Sequence, residues 1–170
     1  LHDLHRSKAS GMIFRVLPST LTGDTVWAPP SKSIMQRVVA LATLAEGRTM
    51  ITRPSESDDC THALMMSAQL GAEVELGEDA VAIHGHFPLQ PRDTTLTPGE
   101  SGLGMRMFGV LASLYHAPLT LERTGSLLTR NLDGMAEALS AFGVTVTQTA
   151  PGQHPCIQGC LLYTSPSPRD

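Results

Sequence analysis

The 170-residue sequence is poor in cysteine, aromatic residues and long apolar runs, and each shortage excludes a class of protein. Three cysteines, Cys60, Cys156 and Cys160, are an odd number without CxxC spacing, which argues against a disulfide framework or a zinc knuckle. A reducing, cytoplasmic setting fits this usage. With four Phe, two Tyr and one Trp, the core must consist mainly of aliphatic side chains and the eight methionines. No stretch approaches the roughly 20 apolar residues of a membrane helix, so we expect no membrane partner.

Basic residues are also scarce, and this limits the partners that the chain can take. Twelve basic and 16 acidic residues give a formal charge of −4, the wrong sign for a chain that coats nucleic acid through its phosphates. Any anion must therefore be held locally. His84 and His86 form the one close histidine pair, and no Cys or acid lies at a matching spacing. We interpret both as hairpin residues and expect no metal site.

An internal repeat organises the chain. The segment MQRVVALATL at residues 35–44 resembles MRMFGVLASL at 105–114, about seventy positions later. Each copy is followed by a short alternating strand, a polar loop and a second helix, which closes at Gly71 or Gly143. The pattern predicts two β-α-β-α-β-β units, at about 25–86 and 94–159. Alternating strands and helices place the chain in the α/β (α+β) class, with helices covering one face of mixed sheets.

The ends of the chain lack this periodicity. We expect residues 1–11 to be an N-terminal tail, with Met12 as the start of the native sequence, and residues 160–170, rich in Ser and Pro, to be a tail that does not continue the fold. Residues 12–159 would form one partial domain.

The spacing of apolar residues predicts the inner faces of the helices. Helical periodicity places Ile34, Val38, Leu41 and Ala45 inward on the first helix of the repeat. It places Leu64, Met65 and Ala68 inward on the second helix.

The loop at residues 29–33, with sequence PPSKS, has the chemistry of an anion site. Prolines stiffen the entry to the first helix, the N–H groups of its first turn point outward, and Lys32 and Arg37 add positive charge. The alternative is that Ser31 or Ser33 merely caps the helix while Lys32 is solvated. Spacing alone favours neither interpretation.

Residues 98–106, with sequence PGESGLGMR, occupy the corresponding place in the second copy. Three glycines permit close approach of the backbone to a ligand at another helix start. The loop has neither Walker nor dinucleotide spacing, so a plain turn is the stronger interpretation of this loop alone. Two such loops in repeated units strengthen the anion hypothesis, because pseudo-symmetry would bring both helix starts to one rim.

Arginines and acids beside the second helices are further candidates. Arg123 and Arg130 flank the loop before the second-copy helix, and an arginine fork suits carboxylate or phosphate. An exposed loop arginine is favoured for Arg123, and the two interpretations are even for Arg130. Asp58 and Asp59 could handle protons, but acids in the first turn of a helix are common, and spacing alone favours a structural role.

Together these motifs resemble a known family. Their order and spacing are similar to those of 3-phosphoshikimate 1-carboxyvinyltransferases, also called EPSP synthases. The similar segments are residues 30–33 with Arg37, 57–59, 99–102 with 105–106, and 125–126 with Arg130. The resemblance covers about residues 14–159, but family members are more than twice as long, so it implies an N-terminal fragment.

The resemblance implies a fold and a reaction. The family has two similar domains, each of three β-α-β-α-β-β units, joined by a hinge, so the chain would hold two units of one domain. The family transfers the enolpyruvyl group of phosphoenolpyruvate to the 5-hydroxyl of shikimate 3-phosphate, releasing phosphate through a tetrahedral intermediate in aromatic amino acid biosynthesis. It implies no metal or organic cofactor, a monomer when full length, and inactivity of the fragment alone.

The resemblance also implies roles for individual residues. Lys32 would contact phosphoenolpyruvate, while Ser33 and Arg37 would hold shikimate 3-phosphate. Gly102 and Arg130 would line the site of the phosphoenolpyruvate phosphate. Lys32 and Asp59 are the catalytic candidates, and Asp59 would orient Lys32 rather than act as the main base.

Two departures and two alternatives accompany this resemblance. Glu100 stands where many members have Asn, and Asn131 where many have Pro, which leaves the role of Glu100 open. One alternative is the sister transferase acting on UDP-N-acetylglucosamine, although the loop at 125–130 lacks that family's cysteine. The other is a noncatalytic anion-binding module of the same fold.

Overall fold

The computed structural model describes residues 17–18, 20, 22–23 and 25–159, and its regular elements follow the repeat. The helices are α1 (Lys32–Leu44), α2 (Asp58–Gln69), α3 (Gly102–Ala112) and α4 (Asp133–Ser140), with a 3₁₀ helix at Gly125–Thr129 before α4. The strands are β1 (Gly47–Thr52), β2 (Glu73–Leu76), β3 (Ala80–Gly85), β4 (Thr95–Gly99), β5 (Leu119–Arg123), β6 (Thr145–Thr147) and β7 (Cys156–Gln158).

The strands form two small sheets, one for each copy of the repeat. The first sheet has the order β1-β3-β2 and is antiparallel throughout. The second has the order β4-β5-β7-β6, in which β4 and β5 are parallel and the other pairs are antiparallel. The mixed α/β architecture agrees with the predicted class.

The second unit has the predicted order of elements. It runs β4-α3-β5, then the 3₁₀ helix, then α4-β6-β7. In the described part of the chain the first unit begins at α1 and continues β1-α2-β2-β3. The predicted tails at 1–11 and 160–170 lie outside the described residues, and the domain boundaries stay a prediction.

Local signals fix the ends of the helices. The side chains of Ser31 and Ser101 cap α1 and α3, accepting hydrogen bonds from the N–H groups of Ile34 (3.4 Å) and Gly104 (3.0 Å). Gly71 and Gly143 follow α2 and α4 with φ of +108° and +79°, the left-handed conformation that ends helices.

One hydrophobic core joins the two units. The predicted inner face of α1, however, is wrong. Met35, Val39 and Ala42 are buried, whereas Ile34 and Leu41 are 62% and 70% exposed. Nearly every position from Ile34 to Ala42 is apolar apart from Gln36 and Arg37, so the sequence pattern does not select one face.

The predicted inner face of α2 is only partly right, because Leu64 packs against the core whereas Met65 does not. Met65 is exposed, and the buried side chains are Cys60, Ala63 and Met66. A difference of one residue along a helix turns the face by about 100°.

Close packing of α1 against the first sheet depends on a glycine. A Cβ built at Gly85 in β3 would lie 2.6 Å from the carbonyl oxygen of Ala45 and 2.9 Å from that of Thr43, beside the end of α1. The absence of a side chain lets the strand approach the helix backbone.

Across the described residues, none of the helices combines the length and apolar character needed to cross a membrane.

Candidate functional site

The starts of α1, α2 and α3 and the loop after β5 meet at one cavity of about 350 Å³. Its lining is polar and carries charges of both signs. The lining residues are Lys32, Ser33, Gln36, Asp59, Glu100, Gly102, Leu103, Arg106 and Arg130. The cavity therefore combines side chains from both copies of the repeat.

The parallel pair of strands explains why two loops reach this place. Gly99 at the end of β4 lies opposite Arg123 at the end of β5, so both carboxyl ends lie at one edge of the sheet. Loops that follow parallel strands at such an edge commonly form binding sites. Here they lead into α3 and into the 3₁₀ helix.

Two helix starts face the cavity with backbone donors. The capping bonds of Ser31 and Ser101 satisfy the third N–H group of each helix, and the earlier N–H groups have no acceptor within their own helix. These earlier groups belong to Lys32 and Ser33 in α1 and to Gly102 and Leu103 in α3. Both helix dipoles therefore favour an anion in the cavity.

Lys32 and Asp59 form an ion pair at the rim. Lys32 Nζ lies 2.8 Å from Asp59 Oδ2, and the two side chains are 53% and 25% exposed. The hydrogen bond to Asp59 and its charge raise the pKa of Lys32 above its ordinary value of 10.5. Burial acts to raise the pKa of Asp59, but the hydrogen bond and charge of Lys32 outweigh it and hold that pKa below 3.8. Both groups are therefore ionised at neutral pH.

A buried hydrogen bond lies beside this ion pair. Ser101 Oγ donates to Gln36 Oε1 at 3.3 Å, which joins the start of α3 to α1. Gln36 and Ser101 also contribute to the low pKa of the Asp59 carboxyl. Gln36 Nε2 completes no hydrogen bond of ordinary geometry among the described residues, so its effect on Asp59 is that of a nearby dipole and is weaker than that of Lys32.

Two guanidinium groups meet at Gly102. A Cβ at position 102 would lie 2.6 Å from Arg130 Nη1 and 3.3 Å from Arg106 Nη1. Arg106 Nη1 also donates to the Gly102 carbonyl oxygen at 3.0 Å. The bare Cα thus allows two cations to stand beside the start of α3, an arrangement suited to a phosphate or carboxylate.

Glu100 is directed toward the 3₁₀ helix. Its Oε2 accepts a hydrogen bond from the N–H of Ser126 at 2.9 Å. Gly125, with φ of +50°, leaves the space that the carboxylate occupies, and a Cβ there would overlap it. This bond gives Glu100 a structural task inside a site that otherwise attracts anions.

The structure brings most of the predicted site residues together. Lys32, Ser33, Asp59, Gly102 and Arg130 all line the cavity. Predicted Arg37 does not belong to the lining, and its exposed guanidinium donates through Nη1 to the carbonyl oxygen of Ser33 at 3.0 Å.

Four lining residues were absent from the predicted set: Gln36, Glu100, Leu103 and Arg106. Gln36 and Arg106 occupy equivalent positions in the internal repeat, and both face the cavity. Extending the repeat from the helix starts to the side chains one turn later would have found them.

The prediction for Arg123 is wrong, because this side chain is 1% exposed rather than a loop arginine in solvent. Its guanidinium bonds to backbone carbonyl oxygens of the loops around the second sheet. Burial lowers the pKa of Arg123, but a guanidinium stays charged in proteins. The sequence around Arg123 contains no sign of these distant carbonyl partners.

The other candidates are a metal site and an apolar cavity. Within the described ranges there is no group of three or more His, Cys, Asp or Glu side chains that could hold a metal ion. A second, apolar cavity of about 550 Å³ lies between α3 and α4 and includes Val110, Leu139 and Phe142.

Comparison with known proteins places the chain in a family. A model of the EPSP synthase family, 3-phosphoshikimate 1-carboxyvinyltransferase, matches residues 17–159. The 3-phosphoshikimate 1-carboxyvinyltransferase of Chlamydia caviae is 32% identical over 136 residues, which cover 79% of this chain and 30% of the relative. That of Methanocorpusculum labreanum is 33% identical over 146 residues, covering 84% and 32%.

Solved structures agree with these sequence matches. The EPSP synthase of Acinetobacter baumannii superposes with a TM-score of 0.69 and 26% identity, over 77% of this chain and 31% of that protein. The chain thus spans about 30% of the length of the curated relatives that it matches. Because these relatives carry the shikimate enzyme's name, the nucleotide-sugar alternative is not favoured.

Proposed function

The chain belongs to the family of 3-phosphoshikimate 1-carboxyvinyltransferases, and from this premise we propose that the complete protein transfers the enolpyruvyl group of phosphoenolpyruvate to the 5-hydroxyl of shikimate 3-phosphate and releases phosphate. The chain would supply part of the site for these two phosphorylated anions. The remaining part would come from polypeptide outside this chain.

One observation carries the proposal. The starts of α1 and α3, each with outward N–H groups, meet the cations Lys32, Arg106 and Arg130 at one cavity. Two phosphorylated substrates repel each other, so a site for both needs closely placed cations and dipoles. Because the chain has a net charge of −4, its contribution to this need is a local one, inside the cleft.

The cavity divides naturally between the two substrates. Gly102 and Arg130 would bind the phosphate of phosphoenolpyruvate, since Arg130 stands against the bare Cα at the start of α3. Ser33, which lines the cavity, and Arg37, which lies one turn further along α1 and outside the lining, would bind shikimate 3-phosphate. Lys32 lies at the rim and would contact phosphoenolpyruvate.

Asp59 fits a positioning role better than that of a general base. Its pKa is held low by Lys32, so it is a weak proton acceptor at neutral pH. Its carboxylate, 2.8 Å from Lys32 Nζ, instead fixes the direction of the ammonium group. The residues that move protons would then lie outside this chain.

Exposed apolar side chains support the view that the domain is partial. Ile34 and Leu41 are open to solvent on α1, as is Phe142 at the apolar cavity beside α4. Further units of the same polypeptide would cover these surfaces. We also propose that the complete enzyme is a cytoplasmic monomer that uses no cofactor.

Phosphate release by the complete protein tests the function. We expect release only when phosphoenolpyruvate and shikimate 3-phosphate are both present. Release with UDP-N-acetylglucosamine in place of shikimate 3-phosphate would assign the protein to the sister activity. Binding of phosphoenolpyruvate without turnover of either acceptor would indicate a noncatalytic anion-binding module.

A further inference from the structure

Arg130 depends on a short stretch of backbone whose residues are mostly exposed, apart from the buried Leu127. It follows the 3₁₀ helix Gly125–Thr129, whose internal hydrogen bonds hold it weakly, because 3₁₀ hydrogen bonds have poor geometry. Within this stretch the N–H of Arg130 reaches the carbonyl oxygen of Leu127 at 3.3 Å. The guanidinium of Arg130 nevertheless stands at a defined place against Gly102. Something outside the stretch must hold it.

The buried side chain of Arg123 holds the end of the stretch. Its Nη1 donates to the carbonyl oxygens of Leu127 and Arg130, at 3.2 Å and 3.0 Å. Its Nε donates to the carbonyl oxygen of Gln153 at 2.8 Å, and Nη2 donates to that of Ala150 at 2.9 Å and also to Gln153. One planar guanidinium thus ties the backbone at Arg130 to the loop between β6 and β7.

Glu100 holds the beginning of the same stretch. Its carboxylate accepts the N–H of Ser126 at 2.9 Å, and the adjacent N–H of Thr124 donates to the carbonyl oxygen of Gly99 at 3.2 Å. The stretch is therefore fixed at one end by an acid on the β4 side and at the other by a buried arginine.

We propose that Arg123 and Glu100 are positioning residues that act on anion binding through Arg130, by fixing both ends of the backbone that carries it. This inference rests on the proposed function for the role of Arg130. Arg123 itself does not line the cavity and would touch no substrate.

The geometry determines which substitutions release each end. Arg123→Lys keeps the charge, but one ammonium on a flexible stem cannot reproduce the planar fork that reaches carbonyl oxygens of four residues. Gly125→Ala places a methyl group where the Glu100 carboxylate lies and releases the other end without changing any charge. Gly125 is exposed, so this variant keeps the proposal testable even where Arg123→Lys fails to fold.

The experiment is a pair of double-mutant cycles in the complete protein, with phosphoenolpyruvate as the ligand. Each variant should weaken phosphoenolpyruvate binding about 10-fold when Arg130 is present, because a displaced binding group loses its alignment. In an Arg130→Ala background the same changes should cost less than about 2-fold. Equal losses in both backgrounds, or no loss in either, would overturn the proposal.

Two control variants separate positioning from general damage. Arg48→Lys makes the same exchange at an exposed pair with Glu75 in the first sheet. Gly47→Ala adds a methyl group at φ of +91° in the first sheet, where nothing lies within 4 Å. Both controls should bind phosphoenolpyruvate like the parent protein.

Hydrogen exchange separates this proposal from the proposed function. If Arg130→Ala alone leaves phosphoenolpyruvate binding unchanged, the substrate assignment fails, and exchange decides the positioning role. Faster exchange of the amides at 126–130 in Arg123→Lys and Gly125→Ala than in the controls would support it. Equal exchange in all four variants would overturn it.

Discussion

Gly102 and Arg130, 28 positions apart, are so close that a Cβ on Gly102 would lie 2.6 Å from Arg130 Nη1. The obstructing atom is the far end of a flexible side chain. Gly102→Ala should therefore fold but turn the guanidinium out of the site.

We expect Gly102→Ala to raise the KM for phosphoenolpyruvate by about 10-fold, which corresponds to about 1.4 kcal/mol of binding free energy. The KM for shikimate 3-phosphate should change much less, and the melting temperature should be unchanged or slightly higher, because alanine favours helices. Steady-state kinetics with each substrate varied in turn give the comparison. Unchanged kinetics would show that Arg130 does not bind from its present position.

Removing either of two cations should weaken phosphoenolpyruvate use. Lys32→Ala and Arg130→Ala each remove a charge-assisted contact, and we expect kcat/KM to fall more than about 10-fold in each. Arg48→Ala, at an exposed pair in the first sheet, is the control and should behave like the parent. Near-normal kinetics in both test variants would contradict their placement in the site.

The Lys32–Asp59 pair should stay ionised between the ordinary pKa values of 3.8 and 10.5. The pKa of Asp59 is lowered on folding, so its stabilising contribution is present above its unfolded value and is lost as pH falls through the folded one. The pKa of Lys32 is raised, so its contribution is complete below its unfolded value and is lost as pH rises through the folded one.

Asp59→Asn should consequently lower the pKa of Lys32, because the substitution removes the carboxylate that raises this pKa. NMR titration of the lysine ε-carbon in the complete protein measures this directly. We expect the midpoint to move to lower pH in the variant. An unchanged midpoint would mean that the ion pair does not form in solution.

Two glycine substitutions should change stability in opposite directions. Gly85→Ala would press a methyl group into carbonyl oxygens at the end of α1 and should cost about 3 kcal/mol or more of unfolding free energy. Gly134→Ala, in α4 with nothing within 4 Å, should add about 0.5–1 kcal/mol. Urea unfolding of both proteins tests the pair. Equal stability would contradict the packing of β3 against α1.

The chain alone should not turn over substrate. It spans about 30% of the length of its relatives, and the proposed proton-transfer groups lie outside it. Incubation of the 170-residue chain with both substrates should release no phosphate, while the complete protein does. Turnover by the chain alone would show that its own residues suffice.

Sequence-local signals predicted a large part of this site. Ser31 caps α1, as one of the two interpretations of its loop had it, and the repeat related the two helix starts that meet at the cavity. Capping depends on residues three positions apart, and such signals survive in the sequence whatever the rest of the chain does.

Signals that depend on distant partners were missed. Arg123 can be buried because the carbonyl oxygens of Ala150 and Gln153 accept hydrogen bonds from its guanidinium. No sequence pattern near Arg123 indicates these partners. The buried face of α1 was misassigned because apolar residues surround most of that helix, leaving the choice of face to tertiary packing.

The cavity straddles the duplication, with Lys32 and Asp59 on one side and Gly102 and Arg130 on the other. A dianion bound there would contact both halves and hold them together. Its binding should raise the unfolding temperature, and the rise should continue with the logarithm of the anion concentration above Kd. Conversely, a small displacement of one half relative to the other would alter every contact to the anion at once. The packing of the shared hydrophobic core therefore affects the affinity for the anion.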